Sequence, residues 1–165
     1  TAVPSAKLTV AGRTKTQVLE ITGGADISEG FDIRAPGPAI RPLPGTVVSI
    51  DPESHGALKV SQEQYDRKVA GIISGAGGVK TGMLMGQQGS MVDGRNPVAL
   101  TGRVYCHADA SRSPIQPGDL LTTSDTPGHA MKVTDYEKAQ GAIIGKAMTA
   151  LAKGTGLVLV LVSLQ

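Results

Sequence analysis

Turn-forming glycine and proline recur so densely along this chain that no long helix fits between them. The 165 residues include 22 Gly and 10 Pro, and these separate short runs rich in Val, Ile, Leu and Thr rather than forming one tract. Pro44-Gly45, Pro117-Gly118 and Pro127-Gly128 are turn sites that close one extended run and open the next. The runs predict strands over 7–10, 16–21, 46–50, 57–60, 69–73, 99–106, 119–123, 130–133, 142–147 and 157–164. Only 62–67 and 136–140 have the character of helical turns, and both are too short to be stable alone. The expected fold class is all-β.

An internal repeat sharpens that expectation. Pro44-Gly45-Thr46-Val47-Val48, followed by His55-Gly56-Ala57-Leu58-Lys59-Val60, recurs 73 positions later. There it reads Pro117-Gly118-Asp119-Leu120-Leu121, followed by Gly128-His129-Ala130-Met131-Lys132-Val133. In each copy a turn leads an apolar pair into a strand, and a second turn returns the chain through Ala-apolar-Lys-Val. A polar stretch holding Tyr65 or Tyr136 comes next. Ala70-Gly71-Ile72-Ile73 then matches Gly141-Ala142-Ile143-Ile144, two positions closer. A period this long exceeds that of solenoid repeats, so two related β units packed together are expected over 44–74 and 117–145.

Three regions follow. Residues 1–33 form an extended β stem and its lead-in to a head, 34–45 a connector stiffened by Pro36, Pro38, Pro42 and Pro44, and 46–165 the compact β head. The stem alternates apolar and polar residues yet is too thin to bury its apolar side by itself. Leu8, Val10, Val18, Leu19, Ile21 and Phe31 are therefore the candidate residues of an oligomer interface. The chain begins at Thr1 and is read as a portion of something longer.

Composition removes several functions. A net charge of +2 gives no electrostatic footprint for nucleic acid, and 2% aromatic residues leave few platforms for stacked bases or sugars. One cysteine forbids an internal disulfide framework and a four-Cys zinc site. The longest apolar run, 157–162, is far short of the ~20 residues a membrane helix needs. No nucleic-acid partner, membrane partner or cofactor is expected.

Five groups hold chemically able residues. Cys106-His107 with Asp109 has the residue types of a nucleophile, base and orienter, with His55 or His129 as further partners. Neighbours on a strand face opposite ways, however, so Cys106 reads as a small buried or half-buried thiol. Asp51-Pro52-Glu53-Ser54-His55 contains metal-ligand atoms but no second His or Cys at ligand spacing, and reads as a hairpin loop with an Asx turn. Ser74-Gly75-Ala76-Gly77-Gly78-Val79-Lys80-Thr81 is glycine-rich, but Val79 interrupts the Gly-Lys-Thr order of a phosphate loop. Lys59 and Lys132 occupy matched places in the repeats, as edge charges or as partners of carboxylates such as Asp119. Met83, Met85 and Met91 offer an adaptable contact surface or core filling. None of these assembles an active site: no catalytic or metal residue is assigned, and ligand-binding residues are unknown.

Ser5-Ala6-Lys7-Leu8-Thr9-Val10-Ala11-Gly12 resembles the last repeat of phage tail-fibre-like and bacterial surface fibre proteins. Leu19-Glu20-Ile21-Thr22-Gly23-Gly24-Ala25-Asp26-Ile27-Ser28-Glu29, with Phe31 at an aromatic place, is similar to the approach to their C-terminal heads. The segments 117–124 and 128–132 resemble the same heads, so the likeness spans nearly the whole chain. It implies a parallel homotrimer and a non-enzymatic structural and attachment role, as the trimerising C-terminal head of a fibre. Partners would be the chain itself, a cell-surface receptor and other particle proteins. The location implied is a virion, an extracellular particle or a cell surface, with cytoplasmic assembly if the protein is phage-derived. Some related tail-spike heads are self-cleaving intramolecular chaperones, which makes autoproteolysis the alternative, with Ser28 or Ser74 as candidates. A receptor-binding tip, with specificity in loops 74–95 and 109–116, is the other alternative.

Overall fold

A computed structural model describes residues 8–37 and 41–164. The first part of the fibre-like motif, Ser5 to Lys7, and Pro38 of the connector lie outside the described residues. Eleven strands and one short helix follow in order: β1 Asp26–Phe31, β2 Ile33–Arg34, β3 Val47–Ile50, β4 Leu58–Val60, β5 Val69–Ile73, β6 Met83–Met85, β7 Asn96–Asp109, β8 Leu120–Thr123, β9 Ala130–Lys132, α1 Tyr136–Ala139, β10 Ile143–Ala147 and β11 Thr155–Ser163. The protein is all-β.

The long strand β7 organises everything. Its first half pairs antiparallel with β1 and with β5, and its second half pairs antiparallel with β11 over nine residue pairs. From β11 the sheet runs through β10, β8 and β9, and a parallel bridge between Ala130 and Ala108 returns it to β7. That closed ring leaves no free edge in the second repeat unit. The first unit, β3, β4 and β5, hangs from the other half of β7 as an open sheet ending at β2. Gly102 is the pivot, pairing with Asp26 on one side and Val162 on the other.

Period-two burial explains why these segments are strands. Val104, Cys106 and Ala108 of β7 and Val158, Val160 and Val162 of β11 are fully enclosed, while the residues between them face outward. They pack with Ile115, Leu121, Ile144, and with Val47 and Ile72 of the first unit, so one core runs through both units. A smaller cluster of Val48, Leu58, Ile73 and Val98 lies beyond it. Each of the Val, Leu and Ile side chains in these clusters contributes roughly 1.5–3 kcal/mol on burial.

The two copies of the repeat share local geometry, and their closing strands pair differently from the expected alignment. Gly45 and Gly118 share a φ of 92°, and matched bonds follow: Ile73 N–H to Thr46 O, and Ala147 N–H to Asp119 O, both 2.9 Å. The closing strands align through glycine, however: Val48 pairs with Gly71, and Leu121 with Gly145. The equivalence is therefore 74 positions rather than two fewer than 73. Glycine is needed at both places because a Cβ would strike a carbonyl of the adjacent strand, Ala99 O or Leu161 O.

Two further differences concern local structure. The expected strands over 7–10 and 16–21 do not form within the described residues, because 8–24 finds no sheet to join among them. Residues 62–67 make turns rather than a helix turn, since Tyr65 takes a left-handed φ of 55°. The second helical expectation forms as α1, with Asp135 accepting from Lys138 N–H at its start.

Candidate functional site

The segment 8–25 reaches the sheet at β1, and there a carboxylate is enclosed by hydroxyls. Asp26 is 5% exposed and Ser28, its neighbour two residues on, is fully buried. Ser28 Oγ donates to Asp26 Oδ1 at 2.9 Å, and Ser74 Oγ, from the end of β5, donates to Oδ2. Thr81 Oγ1 in turn donates to Ser74 Oγ at 2.9 Å. Backbone bonds clamp the same place: Ala25 N–H to Lys80 O, Arg103 N–H to Ala25 O, and Gly82 N–H to Asp26 O. The fold thus brings Ser28 and Ser74, separate candidates in sequence, onto one carboxylate. A depression of about 420 Å³, lined by Ile21, Ile27, Met83 and the backbone at Gly24, Gly82 and Gly102, adjoins it. Chemically, a serine hydroxyl bonded to a carboxylate is a nucleophile beside a base; it is also a satisfied buried acid.

The expected interface residues divide. Leu8, Val10, Val18, Leu19 and Ile21 are all exposed, Leu8 at 80% and Val18 at 79%. Residues 8–24 make no backbone–backbone hydrogen bond among the described residues. Phe31 departs from the expectation: it is half-buried against Val48, Leu58, Ile73 and Val98 and serves its own chain's core.

Cys106, His107 and Asp109 do not form a triad. Cys106 is completely enclosed, its thiol directed at the His107 carbonyl, and burial pushes it up to about 12. A thiol held protonated that strongly is not a nucleophile at neutral pH. His107 faces the other way. Its Nε2 lies 3.2 Å from Pro44 O, and its ring centre is 5.5 Å from that of His129. Burial, and then His129, lowers its pKa below the ordinary histidine value. His129 is thus the neighbour of His107, while Asp109 accepts from Thr126 Oγ1 and from Ser111 N–H. Those bonds, the Thr126 one first, hold the Asp109 carboxyl below the usual range.

Asp51 makes the Asx turn, accepting from Glu53 N–H at 3.1 Å, and receives both ends of the Arg34 guanidinium at 2.6 and 2.8 Å. That fork lowers the Asp51 carboxyl to about 2 and ties β2 to the β3–β4 loop. Among the described residues no group of three His, Cys, Asp or Glu is arranged to hold a metal. The glycine-rich loop after Ser74 makes a short 3-10 turn, 76–78, rather than a helix that could cradle phosphate. Lys132 pairs with Asp119 at 2.9 Å and lies on β9, which has a neighbour on each side, so it is a carboxylate partner rather than the edge charge expected of it; Lys59 lies near Asp51. Met83 and Met85 lie in β6 beside β1, and Met91 is 75% exposed in the following loop.

One feature gave no sequence signal beyond a polar stretch. The Tyr65 hydroxyl accepts from the backbone N–H groups of Thr134 and Asp135 at 3.1 and 3.0 Å, stitching the first unit to the second. Burial opposes ionisation of this phenol, but the three hydrogen bonds to it outweigh burial and lower its pKa. A depression of about 280 Å³ beside it is lined by Arg112, Lys132 and Lys138. Each of these cations already has a carboxylate, Asp125, Asp119 and Asp135 respectively, so the site offers no spare positive charge.

No protein-family model matches the chain, and no curated protein matches it.

Proposed function

We propose that the chain is the trimerising head of a fibre-like protein, a non-enzymatic module for assembly and attachment. One observation carries this reading. A stretch of apolar residues, Leu8 to Ile21, enters a well-packed β fold with its large apolar side chains exposed and with no backbone–backbone hydrogen bond among the described residues. Such a strand is stable only when other chains complete it. The resemblance of the stem and of the β8–β9 segment to fibre heads supports the same reading.

Native mass by light scattering after size exclusion tests it. A species of three times the 16.9 kDa chain mass is expected, and a monomer at micromolar concentration would reject the reading. Truncation to separate stem from head belongs before Asp26, because β1 is part of the head sheet.

A second reading is favoured by the Asp26–Ser74 contact alone. In an autoprocessing head, Ser74 Oγ would attack a peptide carbonyl as Asp26 takes its proton; the C–N bond would then break as Asp26 passes that proton to the departing amine, and water would hydrolyse the resulting ester, freeing Ser74 and the acyl fragment as a carboxylic acid. Intact mass of a chain extended upstream of Thr1, followed for days beside Ser74→Ala, tests this. A fragment formed by the parent and not by the variant supports it; identical, uncut masses eliminate it.

A further inference from the structure

The outer face of the closed ring presents apolar side chains that none of the described residues covers. On β11, Leu157 and Leu161 are more than 40% exposed, in alternation with the buried valines. Leu161 pairs with Lys146 of β10 on one side and with Arg103 of β7 on the other, so a leucine stands between two cations in one row. The row continues to Leu120 of β8. Gly145 leaves a dent of about 380 Å³ beside Leu161, walled by Leu120 and Ile143. Both cations are exposed, and neither belongs to an ion pair among the described residues. Two strand spacings separate them, about 10 Å, so they repel each other and attract any acid placed between.

The same chain carries a segment of matching character. Glu20 is the one acidic residue between Leu8 and Ala25, and it is flanked by Val18, Leu19 and Ile21, all exposed. In an extended strand Val18 and Glu20 share a side. That pair matches a leucine between two cations in both polarity and charge.

We infer that the outer face of β7, β11 and β10 receives the Val18–Ile21 segment of a second copy, with Val18 on Leu161 and Glu20 at Arg103 or Lys146. This rests on the oligomeric reading of the previous section and specifies its surface. Contact of this kind satisfies the stem's exposed apolar side chains and the head's unpaired cations together.

Chains bearing Val18→Cys and chains bearing Leu161→Cys are co-expressed, oxidised mildly and run without reductant. The native Cys106 is fully buried and stays silent. A linked pair containing one chain of each type is expected, with each variant alone remaining unlinked. Glu20→Lys is expected to raise the concentration at which the assembly dissociates several-fold, and adding Arg103→Glu to recover it. An assembly of normal mass with no mixed link, or with Val18→Cys chains linking to each other, overturns the surface while leaving the trimer standing. A monomeric parent overturns both.

Discussion

Cys106 and His107 are adjacent in β7 and face opposite sides of the sheet, and that alternation decides what each can do. The thiol is sealed in the core, whereas the imidazole sits where the Pro44-Gly45 turn meets β7, with its backbone N–H donating to Gly45 O at 2.8 Å. Burial first, and His129 second, disfavour its cationic form. A histidine whose folded pKa is depressed binds its proton more readily in the unfolded chain. Its contribution is therefore fully present above the unfolded value near pH 6.5 and is lost as pH falls through the folded one. The stability of the head is expected to decline as pH drops below about 6.5, and His129→Gln to move the His107 titration upward. Proton NMR of the His107 ring across that range reads the titration, and chemical denaturation at each pH reads the stability. An unmoved titration in the variant would mean that burial alone sets it.

At the scale of elements, the two repeat units are held by the same device, a glycine in the closing strand that lets the neighbouring carbonyl approach. Gly71→Ala and Gly145→Ala are each expected to destabilise by more than about 1 kcal/mol, since the φ values of 153° and 157° and the facing carbonyls both oppose a Cβ. Gly78→Ala is the control: it also has positive φ, 80°, but open space around it, so only the backbone term remains. Equal losses in all three by chemical denaturation would show that the carbonyl approach is immaterial. Eight of the ten strands expected from sequence form, because β-branched runs bounded by turns leave few other options. β1 gave no such signal. Its inward residues are Asp26, Ser28 and Gly30, so the buried side of a central strand reads as polar. β6 reads as a methionine-bearing loop, being three residues between glycines, and β2 is two residues long. The Asp26 cluster was half legible. Serines 28 and 74 can be singled out in sequence, but 46 residues separate them, and only the pairing of β1 and β5 with β7 brings them to one carboxylate.

For the whole molecule, the division between a sealed head and an uncovered stem has a thermodynamic consequence. The stem's alternation reads as strand in sequence because the pattern is local, yet pairing is not local, and residues 8–24 have no partner strand among the described residues. If three copies supply that partner, folding and association are linked, and the melting midpoint must depend on chain concentration. Forming one trimer from three chains removes two free particles, so a tenfold rise in concentration adds about 1 kcal/mol per chain, or about 2–4 °C in midpoint. Leu19→Asp places a charge where the stem must be covered, while touching nothing in the head, since Leu19 is exposed in its own chain. That variant is expected to melt at a midpoint that no longer shifts with concentration, with the head's secondary structure intact by circular dichroism. A parent midpoint that is flat over a hundredfold dilution range would instead mean that the head needs no other chain and that the stem's apolar residues serve some contact outside the oligomer.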